Sequence, residues 1–182
     1  MSKDTKIERL LERQDVKDKI IESLRRTKKN NVEYTFNFCP INDNIQTTEI
    51  EEGKEHTVGD VCTCPNCIKP IGAFHTHTHL TSNQDIVPSP RDIIKSLDED
   101  LNFFCIGANK DNIGIVRCFN SKTLFSEIGS ALTKAGFEIN KENITKTSKL
   151  MVYNMLQGKS FINNRSYTRL YNIESYESRA IK

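Results

Sequence analysis

Ile71-Gly-Ala-Phe-His75-Thr-His77-Thr-His79, followed by Pro88-Ser89-Pro-Arg-Asp92, is the stretch on which the reading of this chain turns. Ile71 to Phe74 reads as a buried strand that runs straight into the histidines. Thr81 to Val87 reads as a loop, and Pro88 onward as the opening of a helix. Ser89 suits the N-cap, Pro90 the first helical position and Asp92 the third. Residues two apart on a strand point the same way, so neighbouring histidines offer their imidazoles to one point in space. A divalent cation needs that from two nitrogen ligands. Catalytic zinc takes about three protein ligands and keeps a position for water. Asp92, one turn into the helix, is placed to bring the third. Two plainer readings stand beside this one. Alternating His and Thr also describes an exposed β-edge, and Ser89 with Asp92 also describes a capping box with no chemistry. The cap and the metal site are compatible, since capping fixes the carboxylate.

Working outward, residues 5–27 read as an amphipathic helix. Ile7, Leu10 and Leu11 form one apolar stripe and Val16, Ile20 and Leu24 another. The phase slips near Gln14–Asp15, which predicts a bend or two pieces. Glu33 to Phe38 alternates at period two, with Tyr34, Phe36 and Phe38 on one face. A turn is expected at Pro40 to Asn44 and a return strand at Ile45 to Ile50. Asn102 to Ala108 and Ile113 to Phe119 read as a hairpin. Ser121 to Ala135 reads as a helix stopped by Gly136, and Leu150 to Leu156 as a further helix. The sum is an α+β fold, a mixed or antiparallel β-sheet flanked by helices. Residues 1–120 are expected to form the main domain and residues 121–182 a helical C-terminal extension.

Length and composition bound the function. A chain of 182 residues is about one domain with some left over, and a net charge of +2 is close to neutral. No apolar run approaches the ~20 residues of a membrane helix, and the mean hydropathy is −0.55. Met1 to Arg13 is charged throughout, with no stretch suited to a signal peptide, which predicts a cytoplasmic globular protein. Residues 1–30 hold ten basic and six acidic side chains, and Arg25-Arg-Thr-Lys-Lys29 is the one dense basic run. That excess is small for a nucleic-acid binder, so no nucleic-acid partner is expected. The run reads more simply as cations at a helix C-terminus.

The histidine strand and the capped helix together resemble the JAMM (MPN-plus, JAB1/Mov34) metalloprotease signature over roughly residues 5–120. That family's pattern is an upstream Glu, then His-Ser/Thr-His, then Ser-x-x-Asp. Its members are zinc isopeptidases that remove ubiquitin or ubiquitin-like modifiers, with prokaryotic relatives that trim sulfur-carrier proteins. The resemblance implies a cytidine-deaminase-like MPN fold, zinc held by His75, His77 and Asp92, and Ser89 helping to hold the oxyanion. It implies Glu33 as the general base, with a ubiquitin-like protein or its conjugates as partner. Glu49, Glu51, Glu52 and Glu55 are rivals for the base, in a loop-like stretch. Three departures accompany the likeness. Thr78 stands where the family has Pro, eleven residues separate His77 from Ser89 where the family has seven, and His79 offers a second register, His77 with His79.

The six cysteines stand at 39, 62, 64, 67, 105 and 118. Without a signal peptide a disulfide framework is not the first expectation. Cys62-Thr-Cys64-Pro-Asn-Cys67 has the spacing of a thiolate metal knuckle, with Cys39 or His56 as a fourth ligand. Reduced loop thiols and disulfides, perhaps including Cys105 and Cys118, are the alternatives. The leading expectation is thus a zinc-dependent peptidase or isopeptidase. Its rival from another class is a non-catalytic scaffold of the same fold.

Overall fold

The computed structural model describes residues 4–53, 64–80, 86–157 and 166–173. Two helices open the chain, α1 (Asp4–Glu12) and α2 (Gln14–Asn30), with Arg13 extended between them. The break lies where the apolar stripe slips phase. Each piece turns its own stripe, Leu10 and Leu11 from α1 and Val16, Ile20 and Leu24 from α2, into one core. Arg13 secures the joint by donating to the Ile45 carbonyl at 2.6 Å. The α2 helix runs past Thr27, and Asn31 ends it with a φ of 53°.

Among the described residues seven strands follow: β1 (Tyr34–Ile41), β2 (Asn44–Thr47), β3 (Glu51–Glu52), β4 (Gly72–Thr76), β5 (Phe103–Lys110), β6 (Ile113–Asn120) and β7 (Ser166–Asn172). They form one sheet in the order β2-β1-β4-β5-β6-β7, with β3 also paired to β1. Every pairing is antiparallel except β4 with β5. Those two are parallel because α3 (Pro90–Asp98) carries the chain back between them. The β1–β2 turn is Asn42-Asp43, both residues at positive φ, 48° and 62°. Such a two-residue turn matches the strands' twist. The Phe38 carbonyl accepts from Ile71 on the β4 side. Pro40 therefore turns its nitrogen toward that same side, where β4 has already ended, and costs the ladder nothing.

Helices cover both faces of the sheet. Phe36, Phe38, Phe74, Phe103 and Cys105 pack beneath α1 and α2. Phe104, Ile106, Ala108 and Phe119 pack beneath α3, α4 (Ser121–Lys134) and α5 (Lys141–Leu156). The fold is therefore α+β, a mixed sheet flanked by helices. The β5 strand, buried on both faces, is the centre of the molecule.

The C-terminal part departs from the expected helical extension. Asn120, the last residue of β6, caps α4 by accepting from the Thr123 N–H. Residues 166–172 add β7 to the sheet edge along β6, with Thr168 opposite Arg117. The chain beyond residue 120 thus continues the same layers instead of forming a separate helical appendage. Its tyrosines 167 and 171 pack on the α1/α2 side.

Candidate metal centre

The β4–α3–β5 unit places the candidate site. In such units the C-terminal end of the strand and the N-terminus of the following helix face a common crevice. Phe74 and Thr76 point to the α2 side and are fully buried. Ala73, His75 and His77 point the other way, toward the start of α3. His77 lies just past β4, but its N–H still donates to the Gly107 carbonyl at 2.8 Å, so both imidazoles stand on the ladder.

The helix contributes the acid through its cap. Asp92 N–H donates to Ser89 Oγ at 3.1 Å, and Ser89 N–H donates to Asp92 Oδ2 at 2.7 Å, a reciprocal capping box. Pro90 occupies the first turn, where no N–H is needed. With its backbone so fixed, Asp92 presents Oδ1 3.2 Å from His75 Nε2 and Oδ2 3.3 Å from His77 Nε2. The two Nε2 atoms are 3.1 Å apart. Burial opposes the charge on Asp92, but hydrogen bonds from His75 and His77, the charge of His75 and the Ser89 N–H outweigh it. The carboxyl is held well below the usual range. Each of the three side chains keeps about a fifth of its surface open to solvent.

These distances test whether a metal fits. A tetrahedral zinc with bonds of ~2.0–2.1 Å to nitrogen and oxygen has ligand atoms about 3.3 Å apart. The two imidazole nitrogens, 3.1 Å apart, are close to that edge length, and the carboxylate brings Oδ1 to 3.2 Å from His75 and Oδ2 to 3.3 Å from His77. Among the described residues, His75, His77 and Asp92 are the one group of metal-ligating side chains that converges in this way. His79 is exposed and stands outside the group.

The other candidates fall at graded distances. Glu33 is exposed and lies one residue before β1, and its carbonyl accepts from Gly53. The β1–β4 register pairs Thr35 with His75. Continued by two residues, it sets Glu33 across from His77 on the same face, one strand spacing of about 5 Å away. Its carboxylate is not part of the ligand group. Glu51 and Glu52 belong to β3, not to a loop, and Glu51 pairs with Thr35, a second strand spacing from His75. Glu49 is exposed beyond β2, and Glu55 lies outside the described residues.

The cysteines are arranged otherwise than a thiolate knuckle requires. Cys64 is joined to Cys39 in a disulfide, and Cys67 is also disulfide-bonded. A sulfur so bonded has no thiolate to offer a metal. Cys62 and His56 lie outside the described residues. Cys105 and Cys118 are register partners on β5 and β6 and form a further disulfide.

One supporting contact carried no sequence signal. Thr76, between the two histidines, faces away from them and hydrogen-bonds both Thr27 of α2 and the Tyr34 N–H of β1. This buried junction clamps the end of the histidine strand to its neighbours. No family model, curated protein or solved structure matches the chain.

Proposed function

We propose that the chain is a zinc-dependent peptidase or isopeptidase with an MPN-like fold, acting after the C-terminal tail of a ubiquitin-like modifier. The observation that carries this reading is the convergence of His75 Nε2, His77 Nε2 and the Asp92 carboxylate, each imidazole within 3.1–3.3 Å of the other and of a carboxylate oxygen. The substrate class comes from the resemblance of Gly72-Ala-Phe-His75-Thr-His77 and Ser89-Pro-Arg-Asp92 to the JAMM signature. His75, His77 and Asp92 would hold the ion. Zinc there would polarise the scissile carbonyl and make hydroxide available near pH 7. Glu33 takes a proton from the attacking water and returns it to the leaving amine. Ser89 Oγ already accepts from Asp92 N–H, so its own proton is free for the developing oxyanion. Loss of such a donor typically costs about 3 kcal/mol of barrier.

A scaffold without chemistry is the second reading, because the capping box alone accounts for Ser89 and Asp92. His77→Ala separates the two, since it leaves that box intact. Elemental analysis of metal-replete wild type is expected to find one zinc per chain at this site, lost in His77→Ala. Glu33→Gln should keep the zinc and lose at least a hundredfold in cleavage of a ubiquitin-like fusion. Wild type without zinc, or zinc retained in His77→Ala, overturns the metal site. Unimpaired cleavage by Glu33→Gln removes Glu33 from the role of base.

A further inference from the structure

Among the described residues, Arg117 is the one charged side chain that is buried, at 4% exposure. Strand register says where it stands. Thr35, His75, Ile106, Arg117 and Thr168 are partners in turn across β1, β4, β5, β6 and β7. Residues in such a row share a face, so Arg117 lies on the side of the histidines, two strand spacings or about 10 Å from His75. Ile106 fills the place between them and is fully buried. An apolar side chain would serve the core at 117 as Ile106 does, and a guanidinium so far from water must have its donors met. The Phe119 ring lies beneath it at 5.1 Å. Its Nη1 donates to the Ile86 carbonyl at 3.0 Å.

That bond leads to the candidate metal centre. Ile86 stands three residues before Ser89, and Ile86 and Val87 are buried in one cluster with Phe104, Ile106 and Phe119. Pro88 and Pro90 restrict the backbone on either side of the cap. The chain from Ile86 to Asp92 therefore has little slack. A shift of the Ile86 carbonyl moves Ser89, and with it the Asp92 carboxylate that Ser89 N–H fixes. We propose that Arg117 is a positioning residue: by holding the Ile86 carbonyl it sets where the Ser89–Asp92 cap stands over the histidine strand. The hold on the cap stands on these hydrogen bonds alone. Its consequence for an ion at His75, His77 and Asp92 rests on the metal-centre reading.

The test compares the full chain as wild type, Arg117→Met, Arg117→Lys and Val16→Ala. The last hollows the core beneath α1 and α2 on the other face, and so controls for lost stability. Amide exchange on the metal-free protein reads the cap directly. The Asp92 N–H, whose partner is Ser89 Oγ, should exchange at least about fivefold faster in Arg117→Met. It should keep the wild-type rate in Val16→Ala. Zinc affinity, measured against a chromophoric chelator, should fall about ten- to a hundredfold in Arg117→Met and hold in Val16→Ala. Arg117→Lys keeps a donor for the carbonyl and should recover part of both losses. If Arg117→Met does not fold, Arg117→Lys against wild type carries the same comparison at smaller amplitude. In a Ser89→Ala background, where the cap is already lost, Arg117→Met should lower the zinc affinity little further. Unmoved Asp92 exchange, an equal effect of Val16→Ala, no recovery in Arg117→Lys, or additive losses with Ser89→Ala would each overturn the positioning role. Wild type that binds no zinc sinks the metal reading and leaves amide exchange to decide on Arg117. Zinc bound equally well by wild type and Arg117→Met sinks the positioning role alone.

Discussion

Asp92 shows how one residue serves the fold and the site together. Its Oδ2 closes the capping box on Ser89 N–H while both oxygens face the imidazoles. That double use was legible because Ser-x-x-Asp is a helix-start pattern and His-x-His a strand pattern, each with a fixed side-chain direction. Glu33 was legible only as far as its strand. Its carboxylate is exposed, with no hydrogen bond or ion pair among the described residues, so no local rule says where it reaches. Tyr171 was not legible at all as an energetic feature. It is 6% exposed, and its hydroxyl has no hydrogen-bond partner among the described residues. Burial pushes its phenol up to about 12, with Arg169 pulling against that. An acid whose pKa is raised by folding stabilises the fold fully below the unfolded value near 10, and that contribution fades as pH rises through 12. Tyr171→Phe should therefore gain about 1 kcal/mol at neutral pH by deleting an unpaired buried hydroxyl. It should also be spared part of the wild type's loss of stability between pH 10 and 12. Urea titrations of both proteins at pH 7 and 11 check this, and equal stabilities at both pH values would refute it.

At the level of elements, the helices and hairpins that carry strong apolar periodicity were readable, including the break between α1 and α2. The strand β7 was not. Its residues present Tyr167 and Tyr171 to one face while Leu170 on the other stays 64% exposed. Its pairing depends wholly on β6, some fifty residues earlier in sequence. The cysteines misled for a related reason: local spacing suggested a knuckle, whereas Cys39 and Cys64 meet only because β1 and the approach to β4 are neighbours. Six cysteines allow fifteen pairings, and spacing does not choose among them. Gly72 shows a motif residue with a structural cause. Phe103 is its register partner across β4 and β5, and a Cβ at Gly72 would sit 2.3 Å from that ring. Phe103 is itself wedged against Phe38 at 5.2 Å between ring centres, so the ring has little room to retreat. Gly72→Ala should cost about 1–3 kcal/mol in urea unfolding. The smaller Phe103→Leu, added to it, should recover part of that loss. A neutral Gly72→Ala, or no recovery in the pair, would show that the ring moves freely.

At the scale of the molecule, the layers explain why the candidate site is both anchored and open. The β4 strand is paired on both sides, and α3 leans on α4 and α5. No helix among the described residues is long and apolar enough to cross a membrane. Disulfides such as Cys39–Cys64 and Cys105–Cys118 persist in oxidising surroundings. An ion at His75, His77 and Asp92 would join the central sheet to the start of α3, and would do so only in the folded chain. Binding of that kind raises stability by mass action, about 4 kcal/mol at a thousandfold excess over Kd. For a chain of this size each kcal/mol moves the melting midpoint by about 2–4 °C. Zinc should therefore raise the midpoint of the metal-stripped protein by about 8–16 °C at that excess, and chelation should reverse it. His77→Ala removes a side chain that is 20% exposed and outside both core clusters, so its metal-free midpoint should stay near that of the wild type. The zinc shift should be absent from it. A shift that persists in His77→Ala would place the ion elsewhere, and no shift in the wild type would leave the site as a cap and its two histidines.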